Sequence, residues 1–397
     1  MGLFAGGRGM TALSGLKVVD FSKFLPGPYC TWLLAELGAE VIRIENPREL
    51  TKQRKVFGWD RLSDEENARL RAQDIFARGK RSVLIDPGSD DGRKAIHRLI
   101  ADADILVEDY RPGVMAAMGY GWPEMAALNP RLVYCSVTLC GQTGPYATRP
   151  GHDPVALAIA GALSRMGEDP GRPAFPGVPV ADLLSGSNAV IGILAAIIAR
   201  ATSGKGQQVD IAMSDSSLAL IANVISRNPD LSRAPPKGMH RADSGIWRCA
   251  DGLHLVTTDM EPRYWRLFVE AIGLPELADR QMDRAAWPDM KAQIAEVMAT
   301  RTRPEWLALL GEAGTQYAPV LTIVEALDDP HNRARDMVVD LPVAGSTVRQ
   351  IGCPIHLSDT PPAPPRAAGP AGSDTRRVLA GLGYDDAQID ALEGRLP

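Results

Sequence analysis

No two cysteines in this 397-residue sequence have the CxxC spacing, and no two of its six histidines stand at metal-ligand spacing. That argues against a structural metal and a disulfide scaffold. Five cysteines, an odd number, fit a reducing compartment, and the expectation is a cytoplasmic protein. No basic field is present, because the net charge is −5, so neither nucleic acid nor an anionic membrane is an expected partner. No stretch reaches the about 18 uninterrupted apolar residues that span a bilayer. The opening MGLFAGGRGM lacks the apolar core of a signal peptide, and MGLFAG lacks the Ser or Thr of a myristoylation signal, so a loose leader is expected. The first βα loop has no GxGxxG, which disfavours a nicotinamide dehydrogenase.

What is present is the composition of a soluble globular protein, 45% hydrophobic and 23% charged. The chain is long for one core, so a large domain plus a smaller one is expected. LKVVDF (16–21), PGPYCTWLLAELG and AEVIRIE read as strand, helix and strand, a βαβ unit of a parallel sheet. KRSVLIDP (80–87) and DILVEDY (104–110) continue the strands. DGRKAIHRLIADA (91–103) is an amphipathic helix with Ile96, Leu99 and Ile100 on one face. The alternation predicts a doubly wound α/β domain over 11–225.

GSNAVIGILAAIIARA (186–201) reads as a buried helix built for close packing. GIWRCADGLHLVTT (245–258) reads as a hairpin turning at Asp251-Gly252. Residues 288–327 read as mostly helical, which makes 226–330 a small α+β domain. The Pro-rich 353–372 reads as an extended linker. Two short helices then close a return to the large domain over 331–397.

Three ionisable residues and a set of cations are candidates for chemistry. His152, in GHDPVALAIAG, reads either as a base or as part of a helix start with Asp153 as cap and Pro154 at the first helical position. Asp182, in GVPVADLLSGSN, reads as a helix cap or as a carboxyl raised by apolar surroundings into a base or nucleophile. Glu261, directly before Pro262, has the same two readings. Arg43, Arg78, Lys80, Arg81 and Arg111 lie near strands, where ligands of open α/β sheets bind. As a group they suggest a phosphate clamp; singly, each is equally a solvated charge. Met118, Met166, Met239 and Met260 are candidates for a flexible apolar pocket or for core.

The run LKVVDFSKFLPGPYCTWLLAELGAEVIRIENP, with KRSVLID, ADILVEDYRPGVM, NPRLVYCSVTLCGQTGPY, SGKGQQVDIAM and DPHNRARDM, resembles the family III CoA-transferases (CaiB/BaiF superfamily), which include the α-methylacyl-CoA racemases. The resemblance runs from about residue 13 to about 362. It implies a Rossmann-like large domain made from both ends of the chain, a small domain between, and an interlocked homodimer. It implies an acyl-CoA substrate and no further cofactor, and gives the cations CoA phosphates and adenine as partners.

The family's transferases use one Asp as a nucleophile that forms a mixed anhydride; Asp182 sits where it is expected. The racemases use that Asp as an acid/base, with a His from a GHD motif and a Glu from an EP motif. His152 and Glu261 match both. Epimerising the carbon beside a thioester needs a base on each face, so the resemblance implies His152 with Glu261 on one side and Asp182 on the other. The enolate oxygen would need donors, expected from backbone N–H groups at a helix start near Asp182. The stretch 228–245 has no run of glycines such as several transferases carry, which favours a racemase. Ala181, Leu183 and Leu184 around Asp182 resemble the transferase version. Racemase, CoA transferase and non-catalytic acyl-CoA binder thus remain as readings, the racemase preferred.

Overall fold

Short runs of Val and Ile, separated by helix-forming segments, pair into a six-stranded parallel sheet. The computed structural model describes residues 10–167, 172–231, 240–343 and 346–393. In chain order come β1 (Lys17–Asp20), α1 (Pro26–Glu36), β2 (Glu40–Glu45), α2 (Pro47–Val56), α3 (Asp64–Gln73), β3 (Arg81–Leu84), α4 (Asp90–Ala101), β4 (Ile105–Glu108), α5 (Val114–Ala117), α6 (Trp122–Leu128) and β5 (Val133–Thr138). After these follow α7 (Asp153–Ile159), α8 (Val180–Ser203), β6 (Gln208–Ala212), α9 (Met213–Ala219) and α10 (Ala222–Ser226).

The strand order is β3-β2-β1-β4-β5-β6. This is the doubly wound order, and the reversal between β1 and β4 opens a crevice at the carboxyl ends of the strands. Every residue of β4 and β5 is buried, as a sheet covered on both faces requires. Ile96, Leu99 and Ile100 of α4 pack on one face with Val19, Ile42 and Val83. Trp32 and Leu34 of α1 pack on the other with Ala189 and Ile193 of α8. Helices α1 and α8 approach closely at Gly186, where an added Cβ would stand 2.6 Å from the Pro26 carbonyl oxygen.

The chain divides into two compact units. The first comprises Met1–Gly167, Pro173–Ile221 and Arg333–Pro397; the second comprises Glu168–Arg172 and Ala222–Asn332. Beyond α10 the elements are β7 (Ser244–Arg248), β8 (His254–Thr258), α11 (Pro262–Ala271), α12 (Trp287–Met298), α13 (Arg303–Ala313), β9 (Tyr317–Pro319), α14 (Ile323–Asp328) and α15 (Pro330–Ala334). Strands β7, β8 and β9 form an antiparallel sheet. The core of this unit holds Trp247, Trp265, Trp287 and Trp306, and each indole N–H donates to an oxygen at 2.8–3.0 Å.

The chain then adds the antiparallel pair β10 (Val338–Val343) and β11 (Ser346–Ile351), and α16 (Thr375–Gly381) and α17 (Asp386–Glu393). Its last part covers the open edge of the parallel sheet. Ser82 N–H donates to the Asp374 carboxylate at 3.0 Å, and Leu84 N–H donates to Thr375 Oγ1 at 2.9 Å.

Two expectations are corrected. Helix α8 begins at Val180, so Asp182 lies inside its first turn and not before it. It is also not fully buried: Ile191 and Ile198 are 64% and 71% exposed. By length and hydropathy α8 is the one helix among the described residues that could cross a membrane, yet its other face is packed on α1. Residues 288–327 are mostly helical as expected, through α12, α13 and α14, with the three-residue β9 between, whose Pro319 hides it from a pattern reading.

Candidate active site

At the β1/β4 crevice the two loops are tied to each other. Asp109, just past β4, accepts from the backbone N–H groups of Lys23 and Phe24 in the loop between β1 and α1. Burial raises the Asp109 carboxyl to about 6, against the pull of those two N–H groups. Lys23 Nζ lies 3.4 Å from the centre of the Tyr110 ring and 2.8 Å from Glu49.

His152 stands exposed at the start of α7 with its ring edge-on to Phe24, the centroids 5.9 Å apart. Its backbone carbonyl begins the helix, but its side chain does not cap it. Nor does Asp153 cap α7, as expected from the sequence. Asp153 is the first helical residue and caps a different helix: its buried Oδ2 accepts from the N–H groups of Ala181 at 2.6 Å and Asp182 at 3.1 Å. The GHD motif thereby carries the base candidate and holds the first turn of α8.

Asp182 is half-buried in that turn. Its carboxyl is raised to about 6, first by burial and then by the like charges of Asp153 and Asp109. Three amides of this turn are already engaged, Ala181 and Asp182 with Asp153, and Leu183 with the Pro179 carbonyl.

The five cations do not form one clamp. Arg78 is fully buried, paired with Glu36 at 2.9 Å and donating to Gln350 and the Ile351 carbonyl. Lys80 is buried on Asp20 at 2.9 Å and on the Pro28 carbonyl. Burial pulls the Lys80 ammonium down, while the Lys80 charge draws Asp20 down against its own burial. Arg81 begins β3 and pairs with Glu40 at the start of β2, at the amino ends of the strands and away from the crevice. Arg78 and Lys80 serve the fold, because a buried charge needs a partner. Replacing Arg78 with Met leaves Glu36 buried and unpaired, and should cost about 3–5 kcal/mol of stability. Urea unfolding checks this, and an unchanged midpoint would refute it.

Two cations remain for a ligand. Arg43 lies mostly buried, 3.6–3.7 Å from Glu45 and Asp74, and its Nη1 has no hydrogen-bond partner. Arg111, exposed just past β4, has no side-chain partner among the described residues.

Glu261 belongs to the second unit, exposed at the start of α11. Its segment is fixed from beneath. Gln281 donates to the Met260 carbonyl at 2.8 Å, and Asp259, buried and raised to about 7 by burial first, accepts from Gln316 N–H. Met118 and Met166 pack against hydrophobic cores, Met260 is half-exposed, and Met239 lies outside the described residues.

The profile of CoA-transferase family III matches residues 13–375. The chain belongs to this family. It is 32% identical over 384 residues to a succinate–glutarate CoA-transferase of Agrobacterium fabrum, covering 93% of this chain and 95% of that one. It is 31% identical over 385 residues to an alpha-methylacyl-CoA racemase of Mus musculus, covering 95% of each. A crystal structure of a CAIB/BAIF family protein from Brucella suis superposes with a TM-score of 0.78 at 27% identity, covering 94% of this chain and 100% of that one. Family III enzymes of both chemistries are thus related to this chain at similar identity. Asp153 and Asp109 are the site residues that sequence reasoning passed over. Asp153 stood inside a quoted motif, but its partner lies 28 residues away.

Proposed function

We propose that this family III enzyme epimerises the α-carbon of a 2-methylacyl-CoA by two-base proton transfer. The observation that carries the reading is that Asp153, next to His152 in the chain, holds the helix turn bearing Asp182, whose carboxyl is raised to about 6. A carboxyl at that value exchanges protons near neutral pH, as an acid/base must. His152 takes the α-proton from one face, and the bonding pair moves into the carbonyl to make an enolate. Protonated Asp182 then returns a proton to the other face. The reverse reaction starts from protonated His152 and ionised Asp182. Glu261 is proposed as the partner of His152, following the family pattern.

Both starting forms hold one proton between the two bases. Forward and reverse kcat/KM therefore share one bell-shaped pH profile, with its acidic limb near the Asp182 value of about 6. Arg43 and Arg111 are proposed to hold CoA phosphates. Arg111→Ala should weaken CoA binding by roughly ten-fold, the scale of a hydrogen bond between charged groups. Calorimetric titration with CoA measures this, and unchanged affinity removes Arg111 from the phosphate site. A homodimer in the cytoplasm is supported by the exposed Ile191 and Ile198 of α8 and by five unbridged cysteines. Light scattering tests the dimer.

CoA transfer is the second reading, favoured by Ala181, Leu183 and Leu184 beside Asp182. The two are separated by incubating one pure 2-methylacyl-CoA epimer with and without a free carboxylic acid. Appearance of the other epimer without acceptor supports epimerisation; a new thioester formed only with acceptor supports transfer and sinks the preferred reading.

A further inference from the structure

The loop FSKFL, residues 21–25, is held at its start and in its middle by carboxylates. At its start Ser22 N–H donates to Asp20 Oδ1 at 2.9 Å. In its middle Asp109 accepts from Lys23 N–H at 2.9 and 3.1 Å and from Phe24 N–H at 3.1 Å. The fit is tight: a Cβ on Gly27 would stand 3.1 Å from Asp109 Oδ2 and 2.3 Å from Ser22 Cβ. The side chain that this loop presents is Phe24, 65% exposed, whose ring meets His152 at an interplanar angle of 78°.

We infer that Asp109 is a positioning residue for His152, holding Phe24 against its ring through the β1–α1 loop. The inference rests on the proposed role of His152. The charged and titratable groups around Asp109 are Asp20 on β1, Lys23 on the loop, Arg43 on β2, Glu108 and Tyr110 beside it in the chain, and Asp182 on α8. Lys23 is the cation that stabilises its charge, and Asp20 opposes it. The two backbone N–H groups need only an oxygen at this position. An amide substitution therefore keeps the positioning, and a methyl group removes it.

The test uses the full chain with carbon-13 in the histidine rings, where His152→Gln assigns one of six signals. Phe24→Leu should move the His152 signal, because an aromatic neighbour is lost. Asp109→Ala should move it the same way, because the loop is released. Asp109→Asn should leave it in place, because the amide oxygen still accepts from the loop N–H groups. A His152 signal unmoved in Phe24→Leu, or unmoved in a folded Asp109→Ala, overturns the positioning role. A His152 signal moved as far in Asp109→Asn as in Asp109→Ala overturns it as well. Phe24→Leu and Asp109→Asn are conservative, so a misfolded Asp109→Ala leaves the test standing. The resonance needs no turnover: a protein with moved signals and no α-proton chemistry would sink the proposed function and keep the loop's positioning.

Discussion

Asp182→Asn should lower turnover by roughly 10²–10⁴-fold, the usual contribution of a positioned acid–base group, while leaving acyl-CoA binding nearly intact. The same substitution should make the protein more stable at neutral and higher pH. In the folded chain the Asp182 carboxyl stands at about 6, above its ordinary 3.8. The native state therefore binds this proton more tightly than the unfolded state, and stability falls as pH rises through the window between 3.8 and about 6. Asn carries no such penalty. Its melting temperature should exceed the wild type's above that window, and the advantage should vanish as pH falls towards 3.8. Lost activity together with lost stability at pH 8 would mark Asp182 as a structural residue. Retained activity would end both the racemase and the transferase readings. A gain in stability on losing a functional group is the expected trade at a site that keeps a carboxyl in unfavourable surroundings.

His152→Ala should have the second large effect, and it divides the two chemistries. Proton transfer at the α-carbon loses one of its two bases, so epimerisation should fall by roughly 10²–10⁴-fold. Transfer through an anhydride on Asp182 needs no base on the opposite face and should be largely spared. The fold should hardly notice. His152 is exposed, its side chain makes no capping bond, and its helix begins through its backbone carbonyl, which Ala also supplies. Steady-state rates measured beside thermal melts decide the matter: a variant as active as wild type in epimerisation would remove His152 from the chemistry.

The sheet could be read from the sequence because its strands are local events. LKVVDF and AEVIRIE are apolar runs flanked by turn residues, and parallel pairing then buries them on both faces. The pair His152 and Asp182 was readable only through family motifs, and those motifs do not tell which group holds which. What the sequence hid was partnership across distance. Arg78 and Lys80 sit in RGKRS, at the start of a strand, where each reads as a ligand-binding or a solvated charge. Their burial is decided by Glu36 and Asp20, which other elements carry to the same place. Asp153 read as the cap of its own helix because capping is usually local. The carboxylate instead reaches the start of α8, and nothing in seven residues of helix announces that. Asp109 was hidden for the same reason, since the amides it binds lie 86 and 85 residues earlier. The β9 strand was missed because three residues ending in Pro carry no period.

Exchange of the α-proton tests the central claim most directly. The protein is incubated with a 2-methylacyl-CoA in D₂O, without any acceptor acid, and deuterium at the α-carbon is followed by mass spectrometry. Two-base epimerisation predicts one deuterium per α-carbon with the wild type, with exchange lost in His152→Ala for the epimer whose α-proton faces His152 and in Asp182→Asn for the other epimer. No incorporation across several acyl groups, with a covalent acyl adduct on Asp182 instead, would contradict epimerisation and assign this chain to CoA transfer.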